Sequence, residues 1–356
     1  MKILSVVGAR PQFIKLAPVA AALGSAGAEH LIVHTGQHYH ADMSDVFFTE
    51  LLIPEPDRHL GIGSASHGAQ TGAMLAALED VMDELRPDWA LVYGDTNSTL
   101  AAAIAAAKLH LPLAHLEAGL RSYNRRMPEE HNRVLTDHAA DLLLAPTAVA
   151  MANLEREGLA ARSVLVGDVM TDICYLVRDS LLSDPLPLPA GLSADHPYVV
   201  ATVHRADNTD DPERLEAVIA ALAAVPVTVL LVAHPRLVRR AEEFRILLTA
   251  GSIRQCGPLG YPEMVSAVLG AGGVVTDSGG LQKEAFLLGT PCTTIRSETE
   301  WVETLEDGWN VLDNDLTSLA ATACRPAPER VRAPPYGNGR AADAVARLLL
   351  TRSTDV

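Results

Sequence analysis

Cysteine is scarce. The 356-residue chain has four (Cys174, Cys256, Cys292 and Cys324), and no two are spaced as a CxxC pair or a zinc knuckle. That excludes a disulfide scaffold or zinc ribbon and leaves four small residues suited to burial in a reducing cytosol. Aromatics supply only 4% of the residues, so Ala and Leu carry most of the 48% apolar content that must fill the cores. Long apolar runs are also absent. None approaches the ~20 residues of a membrane span, and the first run, residues 3–7, breaks at Gly8-Ala9-Arg10-Pro11, too short for a secretory signal. The net charge of −16 comes without any basic stripe, which argues against nucleic acid. The expectation is a soluble, cytoplasmic protein that binds neither nucleic acid nor membrane.

Cofactor signatures are missing too. The first strand–helix turn reads GARPQ and not GxGxxG, so a nicotinamide-binding turn has no support. His34, His38 and His40 fall within seven residues, but on a strand end and a loop, with no helical i, i+4 pair and no companion carboxylates. Neither a metal nor an organic cofactor is predicted.

What is present is alternation. Short β-branched apolar runs alternate with amphipathic or Ala-rich stretches, the pattern of parallel strands joined by crossover helices. At roughly 100–200 residues per domain the length predicts two domains. Residues 183–197 hold four prolines without periodicity and read as the hinge between them. The predicted boundaries are 1–182 for the first domain and 183–336 for the second, with the last helix (337–356) packing back on the first. The predicted class is α/β: two Rossmann-like doubly wound domains facing across a cleft, a glycosyltransferase-B-like architecture.

Chemistry-bearing residues gather at predicted strand ends. In the second domain, strand 273–276 runs into Asp277-Ser278-Gly279-Gly280 and a helix ended by Gly289 and Pro291. Bare backbone at a helix N-terminus makes an anion cradle, and Glu284, one turn on, suits ribose hydroxyls. An ordinary strand–helix turn fits this segment equally well. Arg10 and Lys15 flank the first helix start, where they fit a phosphate or plain solvation. Asp95 and Glu117 end consecutive strands on the ligand-binding edge of a parallel sheet. Asp95 also fits an Asx-turn or N-cap; Glu117 does not, because Glu caps poorly. Glu129, Glu130, His131 and Arg133 open a helix, where acidic residues also serve as dipole partners. His204 and Arg205 end a strand, His234-Pro235-Arg236 forms a loop, and Glu298, Glu300 and Trp301 fall on a predicted helix.

In order, GARPQFIKLAPV, VYGDTNSTL, HLEAGLRS, PEEHNR, TVHR, GPLGYPEM and TDSGGLQKEAFLLGTP resemble the non-hydrolysing UDP-N-acetylglucosamine 2-epimerases nearly end to end. The resemblance implies the two-domain fold, interconversion of UDP-GlcNAc and UDP-ManNAc through 2-acetamidoglucal without metal or NAD, and a homodimer. It implies Asp95, Glu117, Glu129 and His204 as catalytic residues. It implies Arg10, Lys15, Arg133, Ser278, Gly279, Gly280 and Glu284 as nucleotide and phosphate contacts. Two departures stand out: Ala69 replaces an Arg frequent in relatives activated by their own substrate, and HRADN replaces HRREN. Open alternatives are a 2-epimerase of another UDP-2-acetamido sugar, a UDP-sugar glycosyltransferase of the same fold, and a non-catalytic UDP-sugar sensor.

Overall fold

The computed structural model describes residues 1–37, 53–189, 192, 196–329 and 334–352, with the Arg10 side chain excepted. His38, His40 and the helix expected near 42–52 lie outside the described residues. The chain divides into two units, Met1–Ile173 with Pro334–Val356, and Cys174–Ala333.

The first unit is built on a parallel sheet of β1 (Lys2–Val7), β2 (Glu29–His34), β3 (Arg58–His59), β4 (Trp89–Tyr93), β5 (Leu113–Leu116), β6 (Leu142–Ala145) and β7 (Ser163–Leu165), in the order β3-β2-β1-β4-β5-β6-β7. After Lys2 every β1 residue is buried, as are all five of β4, which is why these strands read as continuous apolar runs. The helix His67–Leu85 buries Gln70, Met74, Leu78 and Met82 at i, i+4 spacing, and it packs on the Ala-rich helix Asn97–Lys108. The C-terminal helix Ala341–Thr351 packs on the helix Arg10–Ser25. Asp172 accepts the Ala341 and Ala342 amides at its N-terminus, at 3.0 and 2.7 Å.

The second unit repeats the plan with β8 (Tyr198–Thr202), β9 (Thr228–Val232), β10 (Ile253–Cys256), β11 (Gly273–Thr276), β12 (Cys292–Thr294) and β13 (Asn310–Leu312), all parallel, in the order β10-β9-β8-β11-β12-β13. Along β8, Val199 and Ala201 join one apolar cluster and Tyr198 and Val200 the other, so helices cover both faces. Both units are Rossmann-like and doubly wound. In each, the strand order reverses once, between β1 and β4 and between β8 and β11. The crevice beyond the strand ends at such a reversal is where this architecture binds ligands.

Two expectations need correction. No α-helix carries Glu298, Glu300 and Trp301; a 3-10 stretch, Val302–Gly308, starts only after Trp301. The reason is local competition: Thr299 Oγ1 accepts the Trp301 amide at 3.1 Å and donates to Gln282 Oε1 at 2.7 Å. His234-Pro235-Arg236 is not a loop but the start of the helix Pro235–Phe244, with His234 Nδ1 accepting the Arg236 amide at 3.1 Å. Histidine is an unusual N-cap, so the start signal was easy to miss.

Candidate active site

In the first unit the reversal point is lined by the residues that follow β1, β4 and β5. The helix after β1 begins at Arg10, with Pro11 in its first turn. Gln12 holds this turn: its Oε1 accepts the Gly8 and Ala9 amides at 2.8 and 3.0 Å, and its Nε2 donates to Tyr93 O at 2.9 Å. One turn on, Lys15 Nζ meets Glu117 Oε2. Burial works against a charged Lys15, but Glu117, then Asp95 and Asp168, outweigh it and raise its pKa.

Glu117 follows β5 with φ +72, in the left-handed region that costs a side-chain-bearing residue roughly 1 kcal/mol. Such strain persists only where the surroundings enforce it, and it clusters at functional sites. Here the Glu117 and Ala118 amides both donate to Leu144 O of β6, at 3.1 and 3.2 Å. Beneath lies a fully buried network. Asp137 accepts from His115 Nδ1 (2.7 Å), Arg121 Nη1 (2.7 Å) and the Gly119 amide (3.1 Å). His115 Nε2 reaches Gly94 O at 2.7 Å, tying the end of β4 to β5. Burial alone would raise the Asp137 carboxyl, yet His115 and Arg121 hold it below its ordinary range.

Asp95 is not a cap. Thr96 caps the helix Asn97–Lys108, while Asp95 Oδ2 takes Arg133 Nη2 at 2.5 Å and Nε at 3.1 Å. Arg133 also donates to Glu130 Oε2 at 3.0 Å. Glu130 is buried and accepts the Ser122 and Tyr123 amides at 3.0 and 2.8 Å. Glu129 is exposed in the first turn of the helix Pro128–Ala139, where its charge favours the helix dipole.

In the second unit the reversal point lies between the loops after β8 and β11. Ser278 caps the helix Gly279–Leu288, its Oγ accepting the Leu281 amide at 3.4 Å, and Gly289 closes it at φ +82. Side-chain space distinguishes the two glycines. A Cβ at Gly279 would lie 2.3 Å from Glu300 Oε1, whereas one at Gly280 would meet nothing nearer than Ser278 Oγ at 3.9 Å. A side chain at the first glycine would have to displace the Glu300 carboxylate, whereas one at the second would displace nothing. Glu284 is buried one turn on. Glu300 pairs with Arg296 at 3.0 Å and approaches Arg205 at 3.9 Å. His204 Nδ1 stands 3.1 Å from Asp277 Oδ1.

Comparison with known proteins matches residues 21–350 to the family model for UDP-N-acetylglucosamine 2-epimerase. The chain belongs to that family. It is similar to a UDP-2,3-diacetamido-2,3-dideoxy-D-glucuronate 2-epimerase of Pseudomonas aeruginosa, at 45% identity over 98% of this chain and 99% of the other. It is similar also to a UDP-N-acetylglucosamine 2-epimerase of Methanocaldococcus jannaschii, at 39% identity over 98% of this chain and 99% of the other. The crystal structure of the M. jannaschii UDP-GlcNAc 2-epimerase in complex with UDP-GlcNAc and UDP superposes with a TM-score of 0.87, at 37% identity, covering 99% of this chain and 100% of that one. The family is one of isomerases, with the glycosyltransferase-B-like pairing of Rossmann-like units. Among the described residues no helix is long and apolar enough to cross a membrane, and no group of three or more His, Cys, Asp or Glu side chains could hold a metal.

Within this epimerase's first unit, the structure brings Lys15 to Glu117 and Arg133 to Asp95; it leaves Glu129 apart on an exposed turn. In the second unit, Ser278, Gly279, Gly280 and Glu284 share one helix start, and His204 stands beside it on Asp277. Sequence reasoning missed Gln12, His115 and Asp137. A polar residue inside the apolar strand LAHL was the one available signal for His115.

Proposed function

We propose that this epimerase interconverts UDP-GlcNAc and UDP-ManNAc by eliminating UDP across C1–C2 and adding it back. The observation carrying the reading is the pair of carboxylate–cation couples on adjacent strand ends of the first unit, Glu117 with Lys15 and Asp95 with Arg133. The C2 proton has no neighbouring carbonyl, so its removal requires the C1–O bond to break in the same event. A base takes the C2 proton, the C–H electrons form the C1–C2 double bond of 2-acetamidoglucal, and UDP leaves with the C1–O electrons. Return of UDP to C1, with a proton delivered to the other face of C2, gives the epimer. Two proton-transfer groups on opposite faces are needed. Glu117 is assigned as one, and Asp95 or Glu129 as the other. His204 donates to the departing diphosphate. Arg10, Lys15, Arg133, Ser278, Gly279 and Gly280 hold the diphosphate by charge and helix N-terminus, and Glu284 takes the ribose hydroxyls. Because C2 loses a proton and not a hydride, no nicotinamide enters the scheme, and the charge on the leaving diphosphate is met by the cations and backbone amides named above. The reading carries a cytoplasmic homodimer.

A second reading is favoured by the P. aeruginosa relative: the same inversion on a UDP-2,3-diacetamido-2,3-dideoxy-glucuronate. Both are tested by NMR in D2O with each substrate. The expected product carries deuterium at C2 from the first turnover, and the substrate that turns over faster identifies the sugar. Protium retained at C2 eliminates the elimination–addition scheme. Sugar transfer with C2 untouched indicates a glycosyltransferase, and binding without turnover a sensor.

A further inference from the structure

We infer that Asp277 is the positioning residue of His204, selecting the ring nitrogen that faces the diphosphate. The inference rests on the epimerase reading above for what His204 does, and on geometry alone for how it is held.

Asp277 is fully buried and follows β11 by one residue. Its carboxylate collects donors from the loop after β8. Oδ1 stands 3.1 Å from His204 Nδ1. The His204 amide donates to both oxygens, at 3.1 and 3.0 Å, and the Arg205 amide donates to Oδ2 at 2.9 Å. Asn208 Nδ2 reaches Oδ2 at 3.1 Å, and its orientation is decided on both sides. Its Oδ1 accepts Arg214 Nε at 2.9 Å, while Nδ2 also donates to Ile295 O at 3.1 Å. Burial would raise the Asp277 carboxyl, but His204 and the amide donors outweigh it and hold it below its ordinary range. An ionised carboxylate only accepts.

The consequence falls on the imidazole. With Nδ1–H committed to Asp277, the neutral ring has its bare nitrogen at Nε2, and the protonated ring donates from Nε2. The His234 ring lies beside His204, with centroids 5.5 Å apart and the rings tilted by 36°. Asp277 immediately precedes Ser278, so one turn both orients the histidine and opens the anion cradle. The carboxylate thereby couples the two halves of the reversal point between β8 and β11.

The test begins with the wild-type protein carrying 15N-labelled histidine, the His204 signals being assigned by their loss in His204→Asn. Where the ring is neutral, the expected spectrum shows Nδ1 protonated and Nε2 bare; the opposite tautomer overturns the inference. In Asp277→Asn, which keeps size and removes charge, the tautomer preference should vanish. Its kcat should fall about 10- to 100-fold, with KM within about threefold, since a positioning residue acts on the transition state. A folded Asp277→Asn protein with wild-type kcat also overturns it. Should that variant not fold, the wild-type tautomer decides alone. A wild-type protein inert on UDP-sugars would remove the epimerase reading and leave the tautomer result standing.

Discussion

Lys15 and Glu117 are 102 positions apart in the chain, yet Nζ of one touches Oε2 of the other. β4 lies between their strands in the sheet, and Gly94 at its end makes the contact possible. A Cβ at Gly94 would lie 3.2 Å from both charged atoms, and its φ of +61 is itself a glycine conformation. The pair is therefore a product of three strand ends.

The first prediction follows from that placement. Glu117→Gln should lower epimerisation by on the order of 10²–10⁴-fold, the usual worth of a positioned proton-transfer group. UDP affinity by calorimetry should stay within about threefold, because Glu117 is assigned to the proton and not to the phosphate. A variant that loses UDP binding in step with turnover would move Glu117 into the nucleotide site.

Gly280 separates folding from binding. Its missing side chain faces open space, so Gly280→Ala should leave stability unchanged or raise it by up to about 1 kcal/mol. UDP should bind about tenfold more weakly, some ~1.4 kcal/mol, because a methyl would stand where phosphate approaches the bare backbone. Thermal melting and calorimetry measure the two effects separately. Equal UDP affinity in variant and wild type counts against the cradle.

Asp137→Asn probes the network under the strand ends. Two buried partners, His115 and the Arg121 guanidinium, lose their shared carboxylate, although Glu157 still holds Arg121 through 2.8 and 2.7 Å bonds. The expected loss is about 3 kcal/mol, at the lower end for breaking a buried ion pair. Urea unfolding measures it, and a loss under about 1 kcal/mol contradicts the network's role.

His30 supplies a pH dependence. Burial pushes its pKa down from 6.5 to about 4, against a small upward effect of Asp57; its Nε2 meets Ser5 Oγ at 2.8 Å. A depressed folded value means that the unfolded chain takes up the proton first on acidification. Stability from this group is therefore complete above pH 6.5 and lost as pH falls from 6.5 to 4. The amount is about 2–3 kcal/mol after discounting for partial exposure. His30→Gln should flatten the unfolding free energy over that window; an unchanged slope assigns the pH dependence elsewhere.

Much of the frame was legible in the chain itself. β4 and β11 are short buried runs of strand length, β11 also β-branched at Val274, Val275 and Thr276, and the cap at Ser278 and stop at Gly289 are local backbone chemistry. Local sequence misled where side chains competed with the backbone: Thr299 drew the segment around Glu300 out of a helix, and His234 served as an unusual cap.

Motifs alone also brought out Glu117, Asp95 and His204 as strand-end residues. What each of them touches was decided only by tertiary structure. The choice between cap and ion pair at Asp95, the left-handed backbone of Glu117, and the carboxylates Asp137 and Asp277 all depend on which strands lie side by side. Strand order follows from how crossover helices pack on the two faces of a sheet. It brings residues tens of positions apart into contact, and no local propensity encodes that contact.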